Sequence, residues 1–144
     1  MIRFTAFDRE YAECQDEILH AIDRCGRAGD LILREEVERF EQAVAQRTGT
    51  RWAVAVGSGY DALYLALRAL ELQPGRYVVT PAYAHVSATN AIRAVELLPT
   101  ESLLLTAHTS YLPVPYLPVH MEGNVGQPPD TNQPIIEDAC QAFG

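Results

Sequence analysis

A short apolar run that leads straight into a helix pattern places the strongest constraint on this chain. The stretch "WAVAVGSGYDALYLALRAL", residues 52–70, joins "WAVAV" to a glycine-rich turn and then repeats leucine at helical spacing. The first part is typical of a buried strand and the second of an amphipathic helix. Ser58 and Asp61 have the spacing of a capping box, which marks the start of the helix. A strand, a tight turn and a helix in this order predict one unit of a parallel α/β sheet.

The chain before residue 98 repeats this alternation. Helices are predicted at 11–28 and 35–47, strands at 52–56 and 77–80, and a short helix from Ser87 to Leu97. The fold class predicted is therefore α/β, three-layer, with a mostly parallel sheet in a single domain of residues 1–144. Residues 1–50 supply N-terminal helices, 51–98 the first strands and their turns, and 99–144 a shortened region.

Residues beyond 98 are less regular. "ESLLLT" is compatible with a short strand, and "NVGQPPDTNQP" is loop by composition. "YLPVPYLPVH" lacks three amide donors at its prolines, so an extended, edge-like or irregular path is predicted. The final "IIEDACQAFG" predicts a buried strand that delivers Asp138 to the mouth of the sheet.

Charge and composition exclude several classes of function. The formal net charge of −8 argues against binding nucleic acid or an anionic membrane surface. No apolar run approaches 18 residues and no secretory signal is present, so we expect a cytoplasmic protein that spans no membrane. Cys14, Cys25 and Cys140 form no C-x-x-C pair, which predicts reduced, mostly buried thiols and no metal site.

All eleven basic residues are arginine, and the chain contains no lysine. A guanidinium group stays protonated and is not a nucleophile. Arginine therefore cannot replace a lysine amine in any reaction that needs a covalent bond from that amine to a carbonyl carbon.

Polar groups at three strand ends predict a ligand site. The amides at the start of the helix at Ser58 suit a phosphate, although an ordinary glycine turn with a serine cap explains the same residues. His85 follows the next strand and suits a flat ring, although a surface histidine is the simpler reading of this residue alone. Asp138, with Gln141 three residues on, supplies a carboxylate. Together these groups fit pyridoxal 5′-phosphate (PLP), whose pyridinium nitrogen a carboxylate keeps protonated.

A dinucleotide-binding alternative is weaker. Gly57, Gly59 and Ala62 match G-x-G-x-x-[GA], a pattern that needs an acidic residue about twenty positions on to hold the ribose. The second strand ends in Thr80-Pro81-Ala82 instead, so the acid is absent.

The chain resembles the DegT/DnrJ/EryC1/StrS family of sugar aminotransferases, which are PLP enzymes of fold type I. "EVERFEQ", "AVAVGSGYDAL", "PAYAHVSATNAI", "LPVHMEG" and "IIEDACQA" are similar, in the same order, to motifs of that family. The resemblance implies that Ser58, Gly59 and the Tyr60 amide hold the phosphate. It also implies that His85 stacks on the ring, Asp138 faces the pyridine nitrogen and Gln141 faces the ring hydroxyl.

Departures from the family pattern concern both the site and the length. Tyr60 stands where the family has a small threonine, and Ala84-His85 replaces its Thr-Phe pair. The spans 90–120 and 123–137 are shorter than usual. The chain ends before the segment that carries the family's catalytic lysine, so the resemblance covers only the first part of a typical member and assigns no catalytic residue here.

Two functional hypotheses follow. In the first, the chain is the N-terminal portion of a sugar aminotransferase. It binds PLP non-covalently and needs a lysine-bearing partner, a homologue or a C-terminal half, to transaminate a nucleotide-linked keto-sugar. In the second, it is a non-catalytic shortened homologue with a ligand-binding, interaction or regulatory role. A gene remnant is a third reading. A homo-oligomer or hetero-oligomer is expected, because an incomplete sheet leaves apolar surface uncovered.

Overall fold

The structure is a computed structural model that describes residues 5–29, 31–102, 113–126 and 130–143. The chain divides into two compact units, Met1–Ala55 and Val56–Gly144, and each is described separately. Parts of the predicted "ESLLLT" strand, the proline-rich path and the following loop lie outside the described residues. Among the residues that the structure describes, no helix combines the length and the apolar character needed to cross a bilayer.

The first unit contains two helices, α1 (Phe7–Ala28) and α2 (Glu35–Thr48), close to the predicted bounds. Gly29 and Gly49 terminate them in the left-handed region, at φ 67° and 70°, where glycine carries no Cβ penalty. The Arg24 guanidinium donates to Glu36 Oε1 over 3.1 and 2.8 Å, which ties the two helices together and raises the pKa of Arg24. Neither helix has a buried residue.

The predicted strand at 52–56 is wrong, because no strand forms there. Trp52 and Val54 are 79% and 77% exposed, and the Ala55 N–H donates to Glu41 Oε1 at 2.7 Å. A strand needs a neighbouring backbone to take its amides, whereas here a carboxylate takes one of them. An apolar run therefore identified a candidate strand but not a partner for it.

The second unit alternates helices and strands as predicted: α3 (Gly59–Ala69), β1 (Tyr77–Pro81), α4 (Val86–Ala94) and β2 (Leu98–Ser102). β1 and β2 are parallel, with Tyr77 opposite Leu98. Parallel bridges extend the sheet from Val79 to Tyr116, and from Tyr116 to Ile135. The spatial order is therefore β2, β1, 116–119 and 135–138, and the prediction of a parallel α/β fold is confirmed.

The core of this unit lies between the helices and the sheet. Its side chains come from α3, α4, β1, the connection between α4 and β2, and the bridged segment 116–119: Leu63, Leu67, Val78, Ala88, Ala91, Ile92, Val95, Leu97 and Leu117. The leucine spacing that predicted α3 is confirmed, since Leu63 and Leu67 are its buried residues.

The predicted extended, edge-like or irregular path is wrong in one respect: the described part of the proline-rich stretch does not lie at an edge of the sheet. Residues 116–119 lie between β1 and 135–138, and the prolines at 115 and 118 use their carbonyls as acceptors. Val79 N–H donates to Pro115 O at 3.0 Å, and Asp138 N–H donates to Pro118 O at 2.9 Å. The N–H groups that donate to the neighbouring segments belong to Tyr116 and Leu117, which are not prolines. In a parallel ladder of this register, the bond from residue 118 to Ile136 O is one that proline removes.

Three further expectations need correction in detail. β2 begins at Leu98, three residues before the predicted "ESLLLT" strand, and includes Pro99. The predicted buried strand before Asp138 is wrong: residues 135–138 form isolated parallel bridges, and none of the four is buried. The thiols are free but not mostly buried: Cys14 and Cys25 are half-buried and Cys140 is exposed. Cys14 and Cys25 lie on α1, which has no buried residue, and Cys140 lines a cavity.

Candidate functional site

The turns that follow β1, 116–119 and 135–138 meet the start of α3 around a cavity of about 450 Å³. In parallel sheets, ligands bind at this carboxyl edge, where the connecting loops converge. The six predicted site residues all line the cavity: Ser58, Gly59, Tyr60, His85, Asp138 and Gln141. The structure thus brings together residues from three separated stretches of the sequence, and their cofactor roles stay predictions.

The start of α3 offers backbone donors to an anion. Ser58 is extended, and its Oγ accepts the Asp61 N–H at 3.1 Å and donates to Asp61 Oδ2 at 2.8 Å, so the predicted cap is confirmed. Because the serine hydroxyl is engaged with Asp61, a phosphate here relies on the amides of Gly59 and Tyr60. First-turn amides have no acceptor within their own helix.

His85 has a second role as the cap of α4. Its Nδ1 accepts the Ser87 N–H at 3.2 Å, and because an amide can only donate, the proton of the neutral ring is on Nε2. The ring is exposed and its orientation is restrained by this contact. A restrained, accessible ring meets the requirement for a stacking platform.

Asp138 is the most firmly placed of the six residues. Its backbone donates to Pro118 O and accepts from His120 N–H, both at 2.9 Å. Its Oδ1 accepts the Cys140 N–H at 3.2 Å. The hydrogen bond to Asp138 raises the pKa of the Cys140 thiol, and burial and the carboxylate charge add to this effect. A half-buried carboxylate fixed at a strand end is suited to a cationic ligand atom.

Gln141 is oriented by a neighbouring turn. Its Oε1 accepts the Glu122 N–H at 2.6 Å, so its amide nitrogen remains available to donate. Glu122 Oε1 in turn accepts the Tyr83 hydroxyl at 2.8 Å. That hydrogen bond, and then the carboxylate charge, raise the pKa of Tyr83.

Sequence reasoning left out five further residues that line the cavity: Ser87, Val119, His120, Met121 and Cys140. His120 is 4% exposed; its Nδ1 accepts the Gly126 N–H at 3.2 Å, and its Nε2 lies 3.8 Å from Glu137 Oε1. The signal was present in "LPVHMEG", which follows a strand-like stretch. The prolines before it argue against a central strand, so the sequence does not mark these residues as lying at a strand end.

The residues present fit PLP in size and chemistry. The cavity volume lies within the usual range for small-molecule sites. A helix start suits the phosphate, the Asp138 carboxylate suits a protonated ring nitrogen, and the Gln141 amide nitrogen suits a ring oxygen. Within the described part of the chain, no cluster of three His, Cys, Asp or Glu residues is placed to hold a metal ion.

Comparisons with known proteins agree with this geometry. The sequence model of the DegT/DnrJ/EryC1/StrS aminotransferase family matches residues 12–101. UDP-2-acetamido-2-deoxy-3-oxo-D-glucuronate aminotransferase of Pseudomonas aeruginosa is 28% identical over 162 residues, which cover 100% of this chain and 45% of that protein. dTDP-3-amino-3,4,6-trideoxy-alpha-D-glucose transaminase of Streptomyces venezuelae is 30% identical over 99% of this chain and 42% of that protein.

A solved structure is similar along the same length. DesV of S. venezuelae, in complex with a ketimine intermediate, superposes with a TM-score of 0.85 and 31% identity, over 99% of this chain and 43% of that chain. The chain thus spans less than half the length of the relatives it matches. From the family match, the shared sequence and the shared fold, we conclude that this chain belongs to the DegT/DnrJ/EryC1/StrS aminotransferase family.

Proposed function

We propose that this chain is the PLP-binding, N-terminal portion of a sugar aminotransferase-like enzyme. The observation that carries the proposal is the convergence of all six predicted residues on one cavity, in a chain of an aminotransferase family. When bound, PLP supplies an electron-accepting ring for reactions at the carbon of an amine substrate. Relatives named as transaminases of nucleotide-linked sugars support a keto-sugar as the substrate class.

Each residue has a distinct binding role in this proposal. The amides of Gly59 and Tyr60, at a start of α3 fixed by Ser58, hold the phosphate. His85 covers one face of the ring, and Asp138 holds the proton on the ring nitrogen through a charge-assisted hydrogen bond. His120, buried beside the cavity, shields this end of the site from water.

A lysine amine is the group that the chain does not supply. None of its residues combines a nucleophilic amine with the ability to move a proton, since every basic side chain other than histidine is arginine. A second copy of the same chain adds no lysine either. The proposal therefore includes a lysine-bearing partner, either a homologue or a C-terminal half.

Cofactor binding is the first test. We expect the purified chain to bind PLP, with borohydride fixing none of it to a side chain. Asp138→Ala should weaken binding more than His85→Ala, because it removes a charge-assisted contact worth roughly 1.5–3 kcal/mol. Glu137→Ala is the matched control, since it removes the adjacent carboxylate, which does not itself line the cavity. The measurement is a titration followed by absorbance, and no detectable binding by the unsubstituted chain would refute the proposal.

Turnover is the second test. With PLP, glutamate and a nucleotide-linked keto-sugar, we expect the chain alone to show no activity beyond that of free PLP. Activity should appear when a lysine-bearing partner, such as the product of a neighbouring gene, is added. It should disappear when the lysine of that partner is replaced by alanine. Clear turnover by the verified 144-residue chain alone would contradict the partner requirement.

A non-catalytic role is the second candidate, and the missing lysine is the observation that favours it. In this case the chain binds PLP, another ligand or a full-length homologue without performing chemistry. A partner that binds tightly but produces no turnover would favour this candidate.

A further inference from the structure

We infer that Tyr83 and Glu122 are positioning residues that orient Gln141 toward the ligand. Neither was among the predicted site residues, and neither lines the cavity. The inference rests on the proposed binding of PLP, because it states which face of Gln141 that ligand meets. It adds a structural element to the site: a strained turn, stabilised by a tyrosine, that sets the orientation of the Gln141 side-chain amide.

The turn at residues 121–124 has an unusual conformation for its sequence. Asn124 N–H donates to Met121 O at 3.0 Å, and the two central residues, Glu122 and Gly123, have φ values of 56° and 78°. Turns with two successive positive φ angles favour Asn, Asp or Gly at the first central position. Glutamate at that position is strained, and such strain persists only where the surroundings hold it.

Two contacts hold Glu122 in this conformation. Its N–H donates to Gln141 Oε1 at 2.6 Å, and its carboxylate accepts the Tyr83 hydroxyl at 2.8 Å. Tyr83 lies in the connection between β1 and α4, whereas Glu122 follows the third segment of the sheet. The tyrosine therefore links two loops at the rim of the cavity, and the link offsets the cost of the left-handed backbone.

The orientation of Gln141 determines whether its side chain offers the ligand a hydrogen-bond donor or an acceptor. Because the oxygen of Gln141 is occupied by the Glu122 amide, the side chain presents its NH₂ group to the cavity. The group that it meets must be a hydrogen-bond acceptor, such as the ring oxygen of PLP. A donor there stabilises the ionised form of that oxygen over the neutral form.

A double-mutant cycle tests whether Tyr83 acts on PLP binding through the turn at Glu122. Tyr83→Phe removes the link, so the dissociation constant of PLP should rise about fivefold, and the bound ring oxygen should ionise at higher pH. Glu122→Gly adopts the left-handed turn without help, so it should raise the dissociation constant of PLP less than Tyr83→Phe does. Tyr83→Phe added to Glu122→Gly should then have no further effect. Glu122→Val, which resists positive φ, should weaken binding at least as much as Tyr83→Phe.

Three readouts keep the inference separate from the proposed function. PLP affinity and the pH dependence of the absorbance of bound PLP report the ligand, and hydrogen exchange of the Glu122 amide reports the turn in the chain without PLP. We expect this amide to exchange faster in Tyr83→Phe and in Gln141→Met. Circular dichroism of each variant verifies that it folds.

An equal effect of Tyr83→Phe in both backgrounds, or no effect in either, would overturn the inference. If the unsubstituted chain does not bind PLP, the proposed function fails. Amide exchange then decides alone whether Tyr83 holds the turn, and identical exchange with and without the Tyr83 hydroxyl would overturn the inference by itself.

Discussion

At the scale of single residues, Cys140 reports on the state of Asp138. The thiol lines the cavity, and its pKa is raised because the Asp138 carboxylate accepts a hydrogen bond from it, with smaller effects from burial and charge. An alkylating reagent reacts with the thiolate. Removing the carboxylate should therefore lower the thiol pKa and speed alkylation at neutral pH.

The substitution is Asp138→Asn, in a background where Cys14 and Cys25 are serine. The alkylation rate measured against pH should show its midpoint shifted to lower pH relative to the same background with Asp138. Glu137→Gln removes an equal charge one residue away, and it should shift the midpoint less, because Glu137 has no part in raising the pKa of this thiol. A midpoint that does not move in Asp138→Asn would show that the two side chains do not interact.

At the scale of secondary structure elements, the start of α3 depends on one hydroxyl. Ser58→Ala removes the acceptor of the Asp61 N–H and should lower the free energy of unfolding by about 0.5–2 kcal/mol. Ser58→Thr keeps an acceptor and should cost less. Urea denaturation measures both. Equal stability of the alanine variant and the unsubstituted chain would mean that Ser58 does not cap the helix.

The central proline segment makes a prediction about a single amide. In the parallel register of 116–119 and 135–138, an N–H at position 118 would meet Ile136 O. Pro118→Ala should therefore introduce an amide that is protected from hydrogen exchange. Pro113→Ala, at an exposed position outside the bridged residues, is the control and should introduce a rapidly exchanging amide. Comparable exchange at both positions would contradict the central placement of the segment.

At the scale of the whole molecule, exposed apolar side chains are the dominant feature of the first unit. Phe7, Ile22, Phe40, Trp52 and Val54 are each at least 60% exposed. Surfaces of this kind in soluble proteins are usually covered by another protein. We therefore expect self-association or a stable partner complex.

Light scattering at micromolar concentration should give a mass above that of one 15.9 kDa chain. Replacing Trp52 and Val54 together by serine should lower that mass, whereas Arg51→Ser, a polar neighbour, should leave it unchanged. A monodisperse monomer of the unsubstituted chain would contradict the expectation.

Local sequence patterns by themselves determined helices, a helix cap and the residues of the candidate site. Helical periodicity identified α1, α2 and α3, the Ser58–Asp61 spacing identified a cap, and strand-end positions identified six residues that share one cavity. These features depend on residues within a few positions of one another in the chain, such as residue spacing, helix caps and the glycines and prolines that end helices and strands.

Only the tertiary structure decided which segments pair. "WAVAV" has strong strand character but no ladder among the described residues, whereas the proline-rich 116–119 lies inside the sheet. Pairing depends on which backbone atoms face a neighbour, and Pro115 and Pro118 are tolerated because the sheet uses their carbonyls. The left-handed Glu122 and its bonds to Tyr83 and Gln141 join residues up to 39 positions apart. Local sequence does not encode such contacts, because they form only when separate loops meet at the same edge of the sheet.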